Sequence, residues 1–463
     1  MGLMMKLTRR RLLATASASM VPRSVFASPD MPPPRTLTAS EGQVQLVTKD
    51  YGPTAIWGFD GQVPGPEIRV PQGARVRRQV VNALKEPTSV HWHGIRIANA
   101  MDGVPGMTQD LIQPAAHFDY DFVAPDAGTY WYHSHNRSWE QTARGLYGPL
   151  IIEEPVPPDV DDDLVLTLDD WRLAPDATIA GGFGNLMDAS HGGRIGNFVT
   201  VNSDPDHAIG TAAHARLRLR LINTATARIF QVGGRGITGH VIALDGMPLA
   251  EPAAFDGFVT LAPAQRADLV VDLPATADAE PALISRERDG DYILTRFLLT
   301  GTARRAPQQS PVILPPNRVA PLDLDGAMRV TLSMDGGAMV GLTGATAGGR
   351  QQSMRELAGQ GLVWALNNHA GMPDAPLFLA ERGRTMRITL RNQTRFPHGI
   401  HLHGHHFHEM INGRPGPLRD TTLLQPRETR DIAFVADNPG KWLLHCHMLD
   451  HQAAGMKTWF EVA

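Results

Sequence analysis

Arg75-Val76-Arg77-Arg78-Gln79-Val80-Val81-Asn82 alternates polar and apolar side chains and ends on Asn, the pattern of a half-buried strand running into a turn. It recurs as Arg216-Leu217-Arg218-Leu219-Arg220-Leu221-Ile222-Asn223 and again as Thr385-Met386-Arg387-Ile388-Thr389-Leu390-Arg391-Asn392. Three strands of one design, far apart in the chain, mark three copies of one unit. Counted from the terminal Asn, His91 and His401 both lie nine residues on, and His93 and His403 both lie eleven on. A second match aligns Phe122-Val123-Ala124, Gly128, Tyr130 and His133 with Phe434-Val435-Ala436, Gly440, Trp442 and His445, eleven residues from Phe to His in each. The first and third copies therefore both carry histidines in register. The second has the strand but no paired His, and is expected to act as a spacer.

Working outward, alternating strand-like runs and Gly/Pro/Asn/Asp turns fill the chain without long helical periodicity, so the fold class is all-β. Two proline-rich segments, Glu153-Glu154-Pro155-Val156-Pro157-Pro158-Asp159 and Pro307 to Pro316, read as linkers. The expected units are residues 35–155, 160–305 and 318–463. Asp161-Asp162-Asp163 is expected to be a solvated face beside the first linker. Ahead of the units, Lys6-Leu7-Thr8-Arg9-Arg10-Arg11-Leu12-Leu13, the small and apolar run from Ala14 to Val21, and Val25-Phe26-Ala27 before Ser28 have the form of an export leader, residues 1–28. Its paired arginines predict the twin-arginine export machinery as a partner and a periplasmic destination. That route carries folded proteins, which suits a chain that loads its cofactor first.

The 463 residues include 43 Lys+Arg against 47 Asp+Glu, a net charge of -4, which lacks the basic stripe of a nucleic-acid binder. No run past residue 30 is long and apolar enough for a membrane span, so no stable membrane association is expected. One Cys forbids an internal disulfide, and 19 His are concentrated rather than spread.

Ten of those 19 His and the single Cys fall in four clusters: His91-Trp92-His93, His133-Ser134-His135, His398-x-x-His401-x-His403 and His445-Cys446-His447-x-x-x-His451. Residues i and i+2 of a strand point to one face, so each His-x-His pair aims two imidazoles at a common point. Four pairs supply eight imidazoles, enough for about three metal ions between the first and third units. Strand alternation sends the sulfur of Cys446 to the opposite face, where it can meet His398, His451 and Met456. A thiolate, two imidazoles and a weak thioether form the ligand set of a blue-copper centre. The first unit has Ser134 at the matching position. Zinc fits poorly, since structural zinc sites close with four ligands and favour several Cys.

These motifs resemble those of the multicopper oxidases, the family of laccases, ascorbate oxidases and copper efflux oxidases, over essentially the whole mature chain from Gly61-Gln62-Val63-Pro64-Gly65-Pro66 to Met456. The resemblance implies three consecutive cupredoxin-like Greek-key β-barrels and four copper ions. His398, Cys446, His451 and Met456 match the type 1 ligands. His91 and His401 match type 2. His93, His133, His135, His403, His445 and His447 match the type 3 pair. It also implies oxidation of a small-molecule reductant at type 1 copper and reduction of dioxygen to water at the trinuclear cluster. Asp102, eleven residues after His91, resembles the family's aspartate beside the type 2 copper.

Three departures bear on mechanism. Gln452 stands where many bacterial relatives have an acid that relays protons, and an amide cannot donate a full proton. Asp450 could replace it only if turned inward. His398-Gly399 replaces the usual His-Pro, with the spacing to His401 unchanged. Met456 as axial group argues for a lower potential than the Leu or Phe of fungal laccases. Among the other histidines, His405, His406 and His408 are expected behind or beside the ligand loop, and nothing singles out His117, His191, His207, His214, His240 or His369. For substrate, Met334 to Met354 holds only Met334, Met339 and Met354, a thin array for Cu(I), and Phe396-Pro397 precede His398 as an apolar shelf toward that histidine's exposed edge. Phenols or aromatic amines are the leading expectation. A periplasmic cuprous oxidase for copper tolerance is the alternative. A copper-free cell-division relative and a copper-storage protein fit the complete ligand set less well.

Overall fold

Each of the three Asn-terminated strands lies between the same two kinds of neighbour. Arg75–Asn82 pairs in parallel with Arg35–Val44 and antiparallel with His117–Val123. Arg216–Asn223 does so with Asp162–Trp171 and Arg266–Asp272, and Arg384–Asn392 with Met328–Gly336 and Thr429–Ala436. The terminal Asn has one job in all three. Asn82 Nδ2 donates to Glu86 O (2.9 Å) and Ile112 O (2.8 Å), while its Oδ1 accepts from Leu84 N (3.0 Å). Asn223 repeats this with Arg228 O, Leu261 O and Ala225 N, and Asn392 with Phe396 O, Gln425 O and Thr394 N. A buried amide that satisfies the loop's own backbone groups fixes where the chain re-enters the barrel. In the first and third units that re-entry is the histidine strand.

The computed structural model describes residues 33–301 and 310–463. The export leader and the start of the second proline-rich segment lie outside the described residues. Around the repeat strands the sheets come in pairs. In the first unit, Leu37, Val76 and Val80 of one sheet pack with Trp92, Tyr132 and Ile152 of the other. In the second, six- and five-stranded sheets enclose Leu217, Leu219, Phe230 and Leu283. In the third, Ile388 and Phe434 face Ile400, Leu444 and Phe460. The fold is all-β and of cupredoxin type, as expected.

Two expectations are corrected. Asp162 is exposed as expected, but Asp163 is half-buried: Asp162–Trp171 runs beside Arg216–Asn223, which brings its carboxylate to the arginines of the repeat strand, and Arg220 holds Asp163 at 2.6 and 2.8 Å. Next to it the fully buried Arg218 is paired with Glu154 and Asp268, since a buried guanidinium must be neutralised. Nor is the second unit merely a spacer, because Arg266 reaches Asp420 beside one histidine cluster and the His191 carbonyl reaches His451 of the other.

Candidate metal centre

The histidine strands meet in matching register. His91 pairs across from His133 in the strands Val90–His93 and Gly128–Ser134, and His401 from His445 in His398–Leu402 and Gly440–Cys446. His135, His403 and His447 follow directly after strand ends. The two halves face each other, and their imidazoles sort into His91 with His93 and His401, His93 with His133 and His447, and His135 with His403 and His445, the ligand atoms of each group within 4.8 Å of one another. The two type 3 triplets are therefore mixed, two imidazoles from one unit and one from the other. Sequence spacing grouped the six but could not divide them, because the division is made across the interface between units.

The nitrogens turned away from the cluster are tethered in symmetric fashion. His91 Nδ1 donates to Asp102 O (2.8 Å) and His401 Nδ1 to Asp420 O (2.9 Å). His133 and His445 donate Nδ1–H to Ser134 O and Cys446 O, each at 2.9 Å. The carboxylates then cross over, Asp102 Oδ2 to His403 Nδ1 (2.9 Å) and Asp420 Oδ1 to His93 Nε2 (3.1 Å). Each aspartate thus holds a type 2 candidate of its own unit by its carbonyl and a type 3 candidate of the other unit by its side chain. Such partners fix ring orientation and tautomer. Asp102 was visible in the sequence. Asp420 was not, since it lies 19 residues after His401 whereas Asp102 lies 11 after His91, so no common register exposes it.

Asp420 is also the point where the second unit enters. Arg266 of Arg266–Asp272 is fully buried and grips both oxygens, at 2.9 and 2.6 Å. Burial opposes ionisation of Asp420, but the Arg266 guanidinium and the facing imidazoles hold its carboxyl well below the usual range. His406, buried behind them, donates from Nε2 to Asp245 O (3.2 Å), and His405 accepts from Asn438 N (3.3 Å), so both back the ligand loop as expected.

The inward nitrogens fit a metal. His91 Nε2, His93 Nδ1, His135 Nε2 and His401 Nε2 are buried with no hydrogen-bond partner among the described residues. With their Nδ1–H groups donated outward, His403 and His445 turn two Nε2 lone pairs toward each other at 3.1 Å, while the His133 Nε2 lone pair lies 3.4 Å from Nε2 of His447, whose Nδ1 has no partner among the described residues. Facing lone pairs repel unless a cation lies between them. Ligand nitrogens about 2 Å from one ion have such spacings. Burial, reinforced by neighbouring imidazoles, holds His93, His133, His135, His403, His445 and His447 well below the usual histidine range, so the donors are neutral.

On the far face of the Cys446 strand, the sulfur lies 3.6 Å from His398 Nδ1 and 3.8 Å from His451 Nδ1, and those nitrogens are 3.1 Å apart. Met456 is fully buried, and its carbonyl accepts the Cys446 N–H (3.0 Å). Burial pushes the Cys446 thiol up to about 12, so a thiolate here needs a bound cation. The outer nitrogens are engaged: His398 Nε2 with Thr394 Oγ1 (2.9 Å) and His451 Nε2 with His191 O (2.7 Å). The expected exposed edge of His398 is therefore absent. His398 and His451 are both fully buried, and Phe396 is half-buried, packed edge-on against His191 and Trp364 instead of opening a shelf to His398. His191, which nothing in the sequence singled out, meets the type 1 candidate through its carbonyl.

Gln452 Oε1 accepts from Ser138 Oγ (3.2 Å), linking the helix after each histidine strand. Asp450 is buried but turns to Arg194 N (3.0 Å), and burial raises its carboxyl to about 6.

The multicopper oxidase family matches this chain over residues 41–157 and 342–463. A multicopper oxidase of Mycobacterium tuberculosis, MmcO, is 31% identical over 91% of this chain and 86% of its own length. A copper resistance protein A homolog of Pseudomonas syringae is 27% identical over 91% of this chain and 90% of its own. Among solved structures, that of Lac15 from a marine microbial metagenome is 46% identical with a TM-score of 0.76, covering 93% of this chain and 100% of that one. With the copper-fitting donors and two matched segments of sequence on the same residues, the chain belongs to the multicopper oxidase family, a copper-dependent oxidoreductase that couples oxidation of a reductant to reduction of dioxygen.

Proposed function

We propose that this protein is a laccase-like oxidase that takes single electrons from phenols or aromatic amines and reduces dioxygen to water, with four copper ions per chain. His398, Cys446, His451 and Met456 would hold the type 1 ion, His91 and His401 the type 2 ion, and the two mixed triplets the type 3 pair. Bound copper supplies one-electron storage at each ion, so that four electrons are available together for dioxygen. The chain supplies the route: the peptide bonds on either side of Cys446 lead to His445 and His447, one in each triplet. Asp102 and Asp420 keep the outer protons on His403 and His93 and leave the inner lone pairs free. Gln452 holds the Ser138 hydroxyl and can orient water but not release a proton.

The observation carrying this reading is the convergence of buried, unpartnered imidazole lone pairs beside a Cys/His/His set joined to them by single peptide bonds. Metal analysis of copper-loaded protein is expected to give four ions per chain, and a reproducible one or two in fully folded protein would refute it. Steady-state kinetics of a methoxyphenol and of Cu(I) side by side, with and without excess Cu(II), tests the substrate. Oxidation of the phenol without added copper is expected.

A cuprous oxidase is the second reading, and one observation favours it. Met187, Met339 and Met354 are all exposed, and the Ser190 O to Ala338 N bond (2.8 Å) joins the segment of Met187 to that of Met339, which adds a thioether the sequence count missed. Phenol oxidation that appears only with excess copper would select it. The leader at residues 1–28 supports export to the periplasm by the twin-arginine route.

A further inference from the structure

Five consecutive carbonyls of one short segment in the second unit are all satisfied, and the last three by the surroundings of the Cys446 site. A helix end leaves its final carbonyls without partners in the helix. In Leu186–Ser190, Met187 O takes His191 Nδ1 (3.0 Å) and Asp188 O takes Gly193 N (3.1 Å). Ala189 O then accepts from Trp364 Nε1 (2.6 Å), Ser190 O from Ala338 N (2.8 Å) and His191 O from His451 Nε2 (2.7 Å). Trp364 itself lies against both candidate type 1 imidazoles, with ring centroids 5.0 Å from His398 and 4.6 Å from His451.

The segment is anchored at its other end as well. Asn185 caps the helix through Asp188 N (2.9 Å), and Arg172 grips the Asp188 carboxylate at 2.7 and 2.9 Å. Gly193 turns the chain at φ +82°, where a Cβ would strike Ala227, and this turn brings Arg194 N to Asp450. It is a fixed cap on the site.

We propose that the carbonyl of His191 is the inlet for electrons: the reductant rests on the outer face of this cap, beside Met187, His191 and Phe396, and its electron crosses the His191–His451 hydrogen bond without the reductant touching a copper ligand. This rests on reading the Cys446 site as type 1 copper and deepens it by naming the specificity-determining surface. His451 is sealed, with its Nε2–H already donated, so a phenol cannot hydrogen-bond to it. Phenol oxidation at this face breaks the O–H bond, sending one electron to the copper and one proton to solvent. The outer face offers Met187, 67% exposed, with the His191 and Phe396 rings 5.7 Å apart, an apolar and aromatic contact for a planar ring.

The experiment places charge on the cap without touching a ligand. In copper-loaded protein without dioxygen, bleaching of the blue band is followed with hexacyanoferrate(II) and with a cationic ruthenium(II) ammine. Met187→Glu is expected to slow the anion and speed the cation several-fold at low salt, Met187→Lys to do the reverse, and Tyr292→Glu, in the second unit's strand Gly290–Leu299, to do neither. The blue band and copper content should be those of the parent. Bleaching rates that ignore the sign of the charge at Met187 would overturn the inlet. A second measurement uses copper-free protein with methyl-labelled methionine and a redox-inert methoxybenzene. A shift of the Met187 signal supports the aromatic reductant. No shift, with charge-dependent bleaching intact, keeps the inlet and removes phenols as the substrate, so the two failures are distinguishable.

Discussion

Thr88 and Ser134 of the first unit stand where the third unit has His398 and Cys446. Thr88 lies three residues before His91 as His398 lies three before His401, and Ser134 separates His133 from His135 as Cys446 separates His445 from His447. The backbone is the same, yet in the first unit Thr88 Oγ1 and Ser134 Oγ both meet Gln141 Oε1, at 2.8 and 2.5 Å, in a closed hydrogen-bond cluster. In the third unit the same space holds a thiol and two imidazoles whose Nδ1 atoms crowd together, with the single S–H between them. The scaffold therefore provides two equivalent places behind the histidine strands, and side-chain chemistry alone decides which one can hold a metal. A polar cluster that satisfies itself leaves no donor for an ion.

The largest way to test this is to make the third unit resemble the first. Cys446→Ser is expected to abolish the blue absorption and reductant oxidation to background, with copper falling from four to three per chain. Retained colour would refute the assignment of the sulfur. The mirrored aspartates offer the next test, because among the described residues only Asp420 has a guanidinium partner from the second unit. Arg266→Leu leaves a buried carboxylate unpaired and should cost about 3–5 kcal/mol in denaturant unfolding. Removing the exposed partner in Arg286→Ala should stay within about 0.5 kcal/mol. Equal losses would mean that the second unit does not support the cluster.

A smaller effect is expected at Gly399, whose N–H, with that of Met448, is directed at the Cys446 sulfur. Hydrogen bonds to a copper-bound thiolate withdraw electron density and raise the potential, so Gly399→Pro, which has no N–H, should lower it, while Gly399→Ala should not. Redox titration of the blue band reads both. Smallest of all, Ser134→Cys should give a buried thiol and no new intense band, because Thr88 and Gln141 are not imidazoles. A second blue centre there would show that sulfur alone defines the site.

Much of this was legible in one dimension. The register of His91 and His93 with His401 and His403 is a property of strand periodicity, which local sequence carries directly, and the odd face of Cys446 follows from the same alternation. The arginines of the second repeat strand were equally visible, but their partners were not, since Asp163 and Asp268 are brought to them only by strand pairing. Asp420 and Arg266 were missed for a similar reason, as their meaning lies in a contact across 154 residues.

The sequence by itself determined that the chain is all-β, that it repeats, and that eight paired imidazoles and one Cys/His/His/Met set are present. These depend on interactions within a strand or a single turn. Tertiary structure decided how six imidazoles divide into two mixed triplets, which aspartate is neutralised by Arg266, and that His451 is closed off by His191 of the second unit. Each of those depends on which surfaces of distant units bury one another, and burial is a property of the packed molecule that no local pattern encodes.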